Sequence, residues 1–209
     1  MNSPRAAAEL HQPVQLRNGL SVLIRPVRAD DRQRIVDAFH KLDKSTVYTR
    51  FFSAKRELSE ADLGRLESSD FVRAVALVAT LGEGADEIII GGGAYTVLAR
   101  PDEPHEPHEP HEPHEPQMPH EPHMPITAEL SFTIEEDYQG QGLSTMFMDL
   151  LTRIARERGV RRFEADVLAG NQPMLKVFER SGLPMHSRVD DGVVHVTLEL
   201  HAAAPTSPG

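Results

Sequence analysis

A chain of 209 residues without a cysteine is long enough for one well-filled core and has no means of forming a disulfide, a thiolate metal site or a thiol nucleophile. Its formal charge of −10 argues against nucleic-acid binding, which calls for a basic face. No apolar stretch approaches membrane-spanning or signal-peptide character, so a cytoplasmic globular domain is expected.

Part of that charge is local. Six glutamates, at 103, 106, 109, 112, 115 and 121, fall in one low-complexity stretch and leave about −4 for the rest of the chain, a mildly acidic body suited to a cationic substrate. Residues 1–12 carry no hydrophobic period and are expected to be disordered. The domain itself is expected over 13–201, with a disordered tail at 202–209. Segments 14–16 and 21–24 read as a hairpin in which Asn18-Gly19 supplies positive backbone angles, and Pro26 ends its second strand. Asp30 or Asp31 then caps a helix that places Ile35, Phe39 and Leu42 on one face. A second helical piece covers 45–52 and is expected to border a substrate cleft. Ser59 opens a third, with Asp62 completing a capping box and Leu58 stapling onto Leu63. Strands are predicted over 72–80 and 87–98, the latter interrupted at Gly91-Gly92-Gly93, where a bulge is expected.

From 103 to 125 the chain repeats Glu-Pro-His. Proline at every third position removes backbone donors and favours an extended conformation with nothing apolar to bury. The segment is therefore expected to be a solvated insertion in the loop between two strands. It carries six histidines, but a flexible tract fixes no coordination geometry, and no metal is expected to be required.

The most informative stretch follows. Leu130, Phe132 and Ile134 alternate with Glu129, Ser131 and Thr133, the period of a strand buried on one face. Three acids, Glu135, Glu136 and Asp137, come next and read as solvated loop charges. A turn with glycines at 140 and 142 then leads into a helix from 142 to about 158, closed by Gly159. Strand, glycine turn and helix start together make a phosphate site, because first-turn amides have no intrahelical partners and the helix dipole favours negative charge. A nucleoside-triphosphate loop would need Lys-Ser or Lys-Thr after the last glycine, where Leu143-Ser144-Thr145 stands. A dinucleotide fingerprint would place its third glycine at Thr145. A third possibility is an acyl-CoA pyrophosphate loop, and a fourth is a plain strand-to-helix connection. Beyond the helix, a strand with Phe163, Ala165 and Val167, a helix opened by Asn171 and closed at Ser181-Gly182, and a hairpin over 184–190 and 193–200 complete the chain.

Gln139-Gly140-Gln141-Gly142-Leu143-Ser144 resembles the Gln/Arg-x-x-Gly-x-Gly/Ala signature of the GNAT family of N-acetyltransferases, with Ser144 standing where the family has Gly or Ala. Leu23-Ile24-Arg25-Pro26-Val27-Arg28-Ala29-Asp30-Asp31, Arg50-Phe51-Phe52, Glu57-Leu58-Ser59, Asp70-Phe71 with Ala76-Leu77-Val78-Ala79, and Asn171-Gln172-Pro173-Met174 resemble the catalytic domain of the Pat-type protein lysine acetyltransferases. The resemblance implies an α/β (α+β) fold, a mixed, mostly antiparallel twisted sheet of about seven strands flanked by about four helices. It implies transfer of an acetyl group from acetyl-CoA to a primary amine, in particular a protein lysine, with Glu129 as general base. It further implies cofactor contacts from the backbone of Phe132, Thr133 and Ile134, from Gln139, Gly140, Gln141, Gly142, Leu143, Ser144 and Thr145, and from Asn171 and Phe178. Phe178 falls where the family often has a tyrosine, which leaves protonation of the departing thiolate to water or to a hydroxyl such as Ser181. A small-molecule amine acetyltransferase and a non-catalytic acyl-CoA sensor are the alternatives. No nucleic-acid or membrane partner is implied, and oligomeric state is left open.

Overall fold

The computed structural model describes residues 10–51, 56–67, 69–98 and 126–200. Residues 1–9, the Glu-Pro-His tract at 103–125 and the tail at 202–209 lie outside the described residues. Within 1–12, expected to be disordered, Gln12 already belongs to a strand.

In chain order the elements are β1 (Gln12–Gln15), β2 (Ser21–Pro26), α1 (Arg32–Lys41), α2 (Lys44–Phe51), α3 (Glu60–Glu67), β3 (Ala74–Leu81), β4 (Ile88–Val97), β5 (Thr127–Ile134), α4 (Leu143–Glu157), β6 (Arg162–Leu168), α5 (Gln172–Glu179), β7 (Met185–Asp190) and β8 (Val193–Glu199). The eight described strands form one sheet in the order β1-β2-β3-β4-β5-β6-β8-β7. All neighbours are antiparallel except β5 and β6, which run parallel. With five α-helices among the described residues, this is one more strand and one more helix than the approximate counts expected.

The sheet is sandwiched unevenly. On one face Leu77, Tyr95, Leu130, Phe163 and Leu198 form the main core with Phe147, Leu151 and Ile154 of α4 and Phe178 of α5. On the other, Val78 and Ile89 pack against Ile35 of α1 and Leu63 of α3, so those helices cover the β3–β4 end. Glu129 and Asp166, further across that face, stay exposed.

Several local expectations take a different form. In the β1–β2 turn only Gly19 adopts a positive φ (86°); Asn18 instead accepts the Leu20 N–H through Oδ1 at 3.1 Å, an Asx-type turn. Strand β3 starts at Ala74 rather than 72, because Asp70 Oδ1 accepts the N–H groups of Val72, Arg73 and Ala74 at 2.8, 2.7 and 3.0 Å and holds that corner outside the ladder. The bulge in β4 falls at Ile90, between the pairs Ala79↔Gly91 and Thr80↔Ile89, and the three glycines keep regular register. Their smallness serves packing: a Cβ on Gly93 would lie 3.0 Å from the Phe147 side chain and 3.1 Å from Phe132. Gly93→Val is therefore expected to destabilise the fold by about 1–3 kcal/mol through overpacking, measured as the denaturation midpoint.

The clearest departure is at α1. Asp31 occupies the N-cap position but makes no side-chain cap. Its carboxylate accepts from Arg25 at 2.6 and 2.8 Å and from the Arg28 N–H at 2.8 Å. Arg25 also reaches Glu87 at 2.9 and 3.0 Å, with its own side chain and that of Asp31 fully buried. Burial opposes charge on Arg25 and Asp31, but the mutual hydrogen bonds outweigh it; they raise the guanidinium further and hold the Asp31 carboxyl below its ordinary value, and the hydrogen bond from Arg25 likewise lowers Glu87. The triad ties β2, the start of α1 and the start of β4 together.

Removing one member strands buried charge, so Asp31→Asn is expected to cost about 3–5 kcal/mol. Since both carboxyls titrate below their ordinary values of 3.8 and 4.5, their contribution is complete above that range and disappears as pH falls through the lower folded values. Acid unfolding of the wild type, followed by circular dichroism, should show this limb, and Asp31→Asn should flatten it.

Candidate active site

The site arises where β5 and β6 part company. Their parallel ladder comprises only Thr127↔Arg162, Ala128↔Phe163 and Glu129↔Glu164. Beyond it, β5 stays paired with β4 as far as Ile134↔Gly91, while β6 stays paired with β8 as far as Leu168↔Val193. Each strand follows its own partner, and the right-handed twist carries the two apart. Phe178 of α5, 1 % exposed, lies at this opening with its ring centroid 6.2 Å from that of Phe132.

Ladder parity decides which backbone groups face the gap. The bonds Leu98 N–H to Thr127 O (2.9 Å) and Glu135 N–H to Ile90 O (3.1 Å) assign the odd residues of β5 to β4, so Leu130, Phe132 and Ile134 turn their N–H and C=O groups toward the opening. Ile134 O is taken by Gln139 Nε2 at 2.9 Å. Phe132 thus presents a bare strand edge, onto which an extended amide-bearing chain adds as an extra strand would. Thr133 gives its backbone to β4, and its side chain lines the cleft.

Below the opening lies the glycine turn. Gly140 and Gly142 have φ of 70° and 101°, and Gly142 is the N-cap of α4 without any side-chain cap. Among the described residues the first-turn amides of Leu143, Ser144 and Thr145 meet no side-chain acceptor. Two other helices differ: Asp62 N–H bonds Ser59 Oγ at 3.2 Å in the expected capping box at α3, and Met174 N–H bonds Asn171 Oδ1 at 3.2 Å at α5. An uncapped helix start beside two left-handed glycines fits a phosphate group. The two glutamines of the turn shape it: Gln139 Nε2 also reaches Thr46 Oγ1 at 3.2 Å, and Gln141 Oε1 accepts the Asn18 N–H at 3.1 Å.

A cleft of about 590 Å³ joins the opening to the uncovered sheet face, with Glu129, Ser131, Thr133, Glu135, Asn171 and Phe178 on its walls. Glu129 sits at the last rung shared with β6. Its carboxylate is exposed and makes no hydrogen bond or ion pair among the described residues. Glu164 stands beside it, and the next rung of β6 carries Asp166, whose Oδ1 lies 2.6 Å from His195 Nδ1. The α2 helix borders the cleft as expected, with Arg50 Nη2 donating to Ser131 Oγ at 3.1 Å. Among the described residues no three His, Cys, Asp or Glu side chains gather to hold a metal, and no helix is long and apolar enough to cross a membrane.

Two of the acids after β5 are not solvated loop charges. Glu135 is half-buried on the cleft wall, and burial pushes its carboxyl above the ordinary range, with Lys41 opposing and Asp137 and Glu136 reinforcing. Because its N–H still bonds Ile90, Glu135 continues the alternation of Glu129, Ser131 and Thr133 by one step. That continuation was the signal available in sequence. Glu136 Oε1 accepts the Asp43 N–H at 3.1 Å and anchors the α1–α2 connection. Ser181, offered as a hydroxyl acid, donates to Phe178 O at 2.6 Å and accepts from Leu183 N–H at 3.3 Å, closing α5 away from the cleft.

Residues 21–184 match the family model for the acetyltransferase (GNAT) domain. The chain is 30% identical over 188 residues to acetyltransferase Pat of Mycolicibacterium smegmatis, covering 90% of this chain and 48% of that protein, so it spans about half the length of that relative. Among solved structures, the GNAT domain of S. lividans PAT superposes with a TM-score of 0.74 at 29% identity, covering 95% of this chain and 99% of that one. The fold is shared with yncA of Salmonella typhimurium, solved with its cofactor acetyl-CoA, at a TM-score of 0.61 and 16% identity over 90% of this chain and 99% of that one. With the split strands, the uncapped helix start and the matched family model in agreement, the chain belongs to the GNAT acetyltransferase family, which takes its acyl group from acetyl-CoA.

Proposed function

We propose that the protein acetylates a lysine side chain of another protein, with Glu129 as general base acting directly or through one water. The observation that carries this reading is the placement of Glu129: an exposed carboxylate on the cleft wall, unpaired among the described residues, at the rung where β5 and β6 separate. Acetyl-CoA supplies an acetyl thioester that is already activated. The protein's task is to bring a neutral amine to it. A lysine ammonium has a pKa of about 10.4, so a base is needed near neutral pH. Glu129 takes that proton, and the backbone N–H groups at the strand opening stand ready for the carbonyl oxygen as it gains charge.

Glu164 and Asp166 extend the negative wall beyond Glu129 and favour a cationic acceptor. The exposed half of this sheet face leaves room for a lysine carried on a larger surface, in keeping with the resemblance to the Pat-type protein lysine acetyltransferases. A cytoplasmic place of action fits a donor that is an intracellular metabolite. The alternative of a non-catalytic sensor draws on Ser144 and on Phe178, the latter having no hydroxyl to protonate the thiolate where the family often has a tyrosine. A thiolate is a good enough leaving group to depart without one.

Thiol release from acetyl-CoA against panels of protein lysines and of small amines tests the proposal. Turnover with protein lysines supports it; turnover with small amines alone points to a small-molecule enzyme, and binding without turnover to a sensor.

A further inference from the structure

We propose that Arg17, in the turn between β1 and β2, is a cofactor-binding residue whose guanidinium pairs with the pyrophosphate of acetyl-CoA at the start of α4. The inference rests on the family's use of acetyl-CoA and not on the identity of the acceptor.

The phosphate turn has a charge deficit. Between Glu135 and Thr152 there is no Lys or Arg, and the turn is preceded by Glu135, Glu136 and Asp137. Amides and the helix dipole alone would have to hold a doubly charged group against those acids. The side chains of Gln139 and Gln141 are already engaged in shaping the loop.

A cation arrives from a remote part of the chain. Arg17 N–H bonds Gln141 O at 3.2 Å, and the neighbouring Asn18 N–H bonds Gln141 Oε1 at 3.1 Å, so the hairpin turn is stapled to the phosphate turn by two backbone donors. The Arg17 side chain lies along the same loop. Its Nη1 donates to Gly140 O at 3.1 Å, and its Nε stands 3.9 Å from the position a Cβ would take on Gly142. One of its five donors is thereby used, leaving four. Arg17 is exposed and forms no ion pair with a carboxylate among the described residues. A planar guanidinium held beside the uncapped amides matches phosphate oxygens in a way that a lone ammonium does not. The hairpin at the edge of the sheet, which contributes nothing to the acyl end of the cleft, thereby acquires a role in donor recognition.

The test is a calorimetric titration of wild type, Arg17→Gln and Arg17→Lys with acetyl-CoA and with dephospho-CoA, at low and high salt. Arg17→Gln keeps a polar amide on a shorter side chain and removes the charge together with the guanidinium fork. Its affinity for acetyl-CoA should fall about tenfold at low salt, the scale of one charge-assisted hydrogen bond. The difference from wild type should shrink at high salt, Arg17→Lys should recover part of the loss, and the melting temperature without ligand should hardly change. Dephospho-CoA, which lacks the 3′-phosphate, should lose the same factor, because the pyrophosphate is common to both ligands. Wild-type affinity in the same titration separates a failure at Arg17 from a failure of the turn as a phosphate site. Equal affinities for wild type and Arg17→Gln would overturn the proposal, as would a loss that is independent of salt or absent with dephospho-CoA.

Discussion

Gly142→Val is expected to abolish acetyl-CoA binding while leaving a folded protein. At φ 101° the position is in a conformation that a β-branched residue adopts only under strain of about 1–3 kcal/mol. Crowding within the protein is not the obstacle, since a Cβ there would meet Met146 Cε at 3.8 Å and Arg17 Nε at 3.9 Å, both ordinary contacts. The obstacle is the ligand: the new side chain would stand between the phosphates and the first-turn amides of α4, or force the turn to move those amides away. Gly159→Val provides the control, because Gly159 has a φ of 76° and open space around it at the other end of the same helix. Both variants should lose stability in thermal melts, but only Gly142→Val should lose affinity by calorimetry. Unchanged affinity in a folded Gly142→Val protein would remove the phosphate reading of the turn.

How far the sequence could be read follows from how local each signal is. Strand β5 was legible because Leu130, Phe132 and Ile134 bury one face in strict alternation, and the capping box at Ser59 because its two partners stand three residues apart. The glycines at 140 and 142 announced left-handed backbone, which they adopt. Illegible features depend on partners far along the chain. Asp31 looks like a helix cap to its neighbours, but it is Arg25, itself held by Glu87 at a separation of 62 residues, that claims its carboxylate. The glycines at 91–93 looked like a bulge, whereas the bulge falls one residue earlier and what Gly93 makes room for is Phe147, more than fifty residues on. The split between β5 and β6 has no sequence signal of its own, since it is created by β4 and β8 drawing their partners apart. Only family resemblance placed a cofactor there.

The two carboxylates on the cleft wall now have to be told apart. Glu135 is half-buried and holds its proton above the ordinary carboxylate range, the property often found in proton-transfer groups. It lies six residues beyond the last shared rung of β5 and β6, at the far end of the separated strand and next to the phosphate turn. Glu129 stands at the rung itself, where the strands begin to diverge. Position therefore favours Glu129, and substitution can decide.

Turnover by Glu129→Gln, measured across pH together with acetyl-CoA affinity, tests the central claim most directly. Glutamine keeps the size and polarity of the side chain but takes no proton. Affinity for acetyl-CoA should persist, and turnover near neutral pH should fall about a hundredfold or more, the scale of losing a general base. Raising the pH toward the amine's own pKa should restore part of the rate, because more of the acceptor is already neutral. An unaltered rate near neutral pH, or a loss of acetyl-CoA binding in its place, would contradict the assignment of Glu129 as the base.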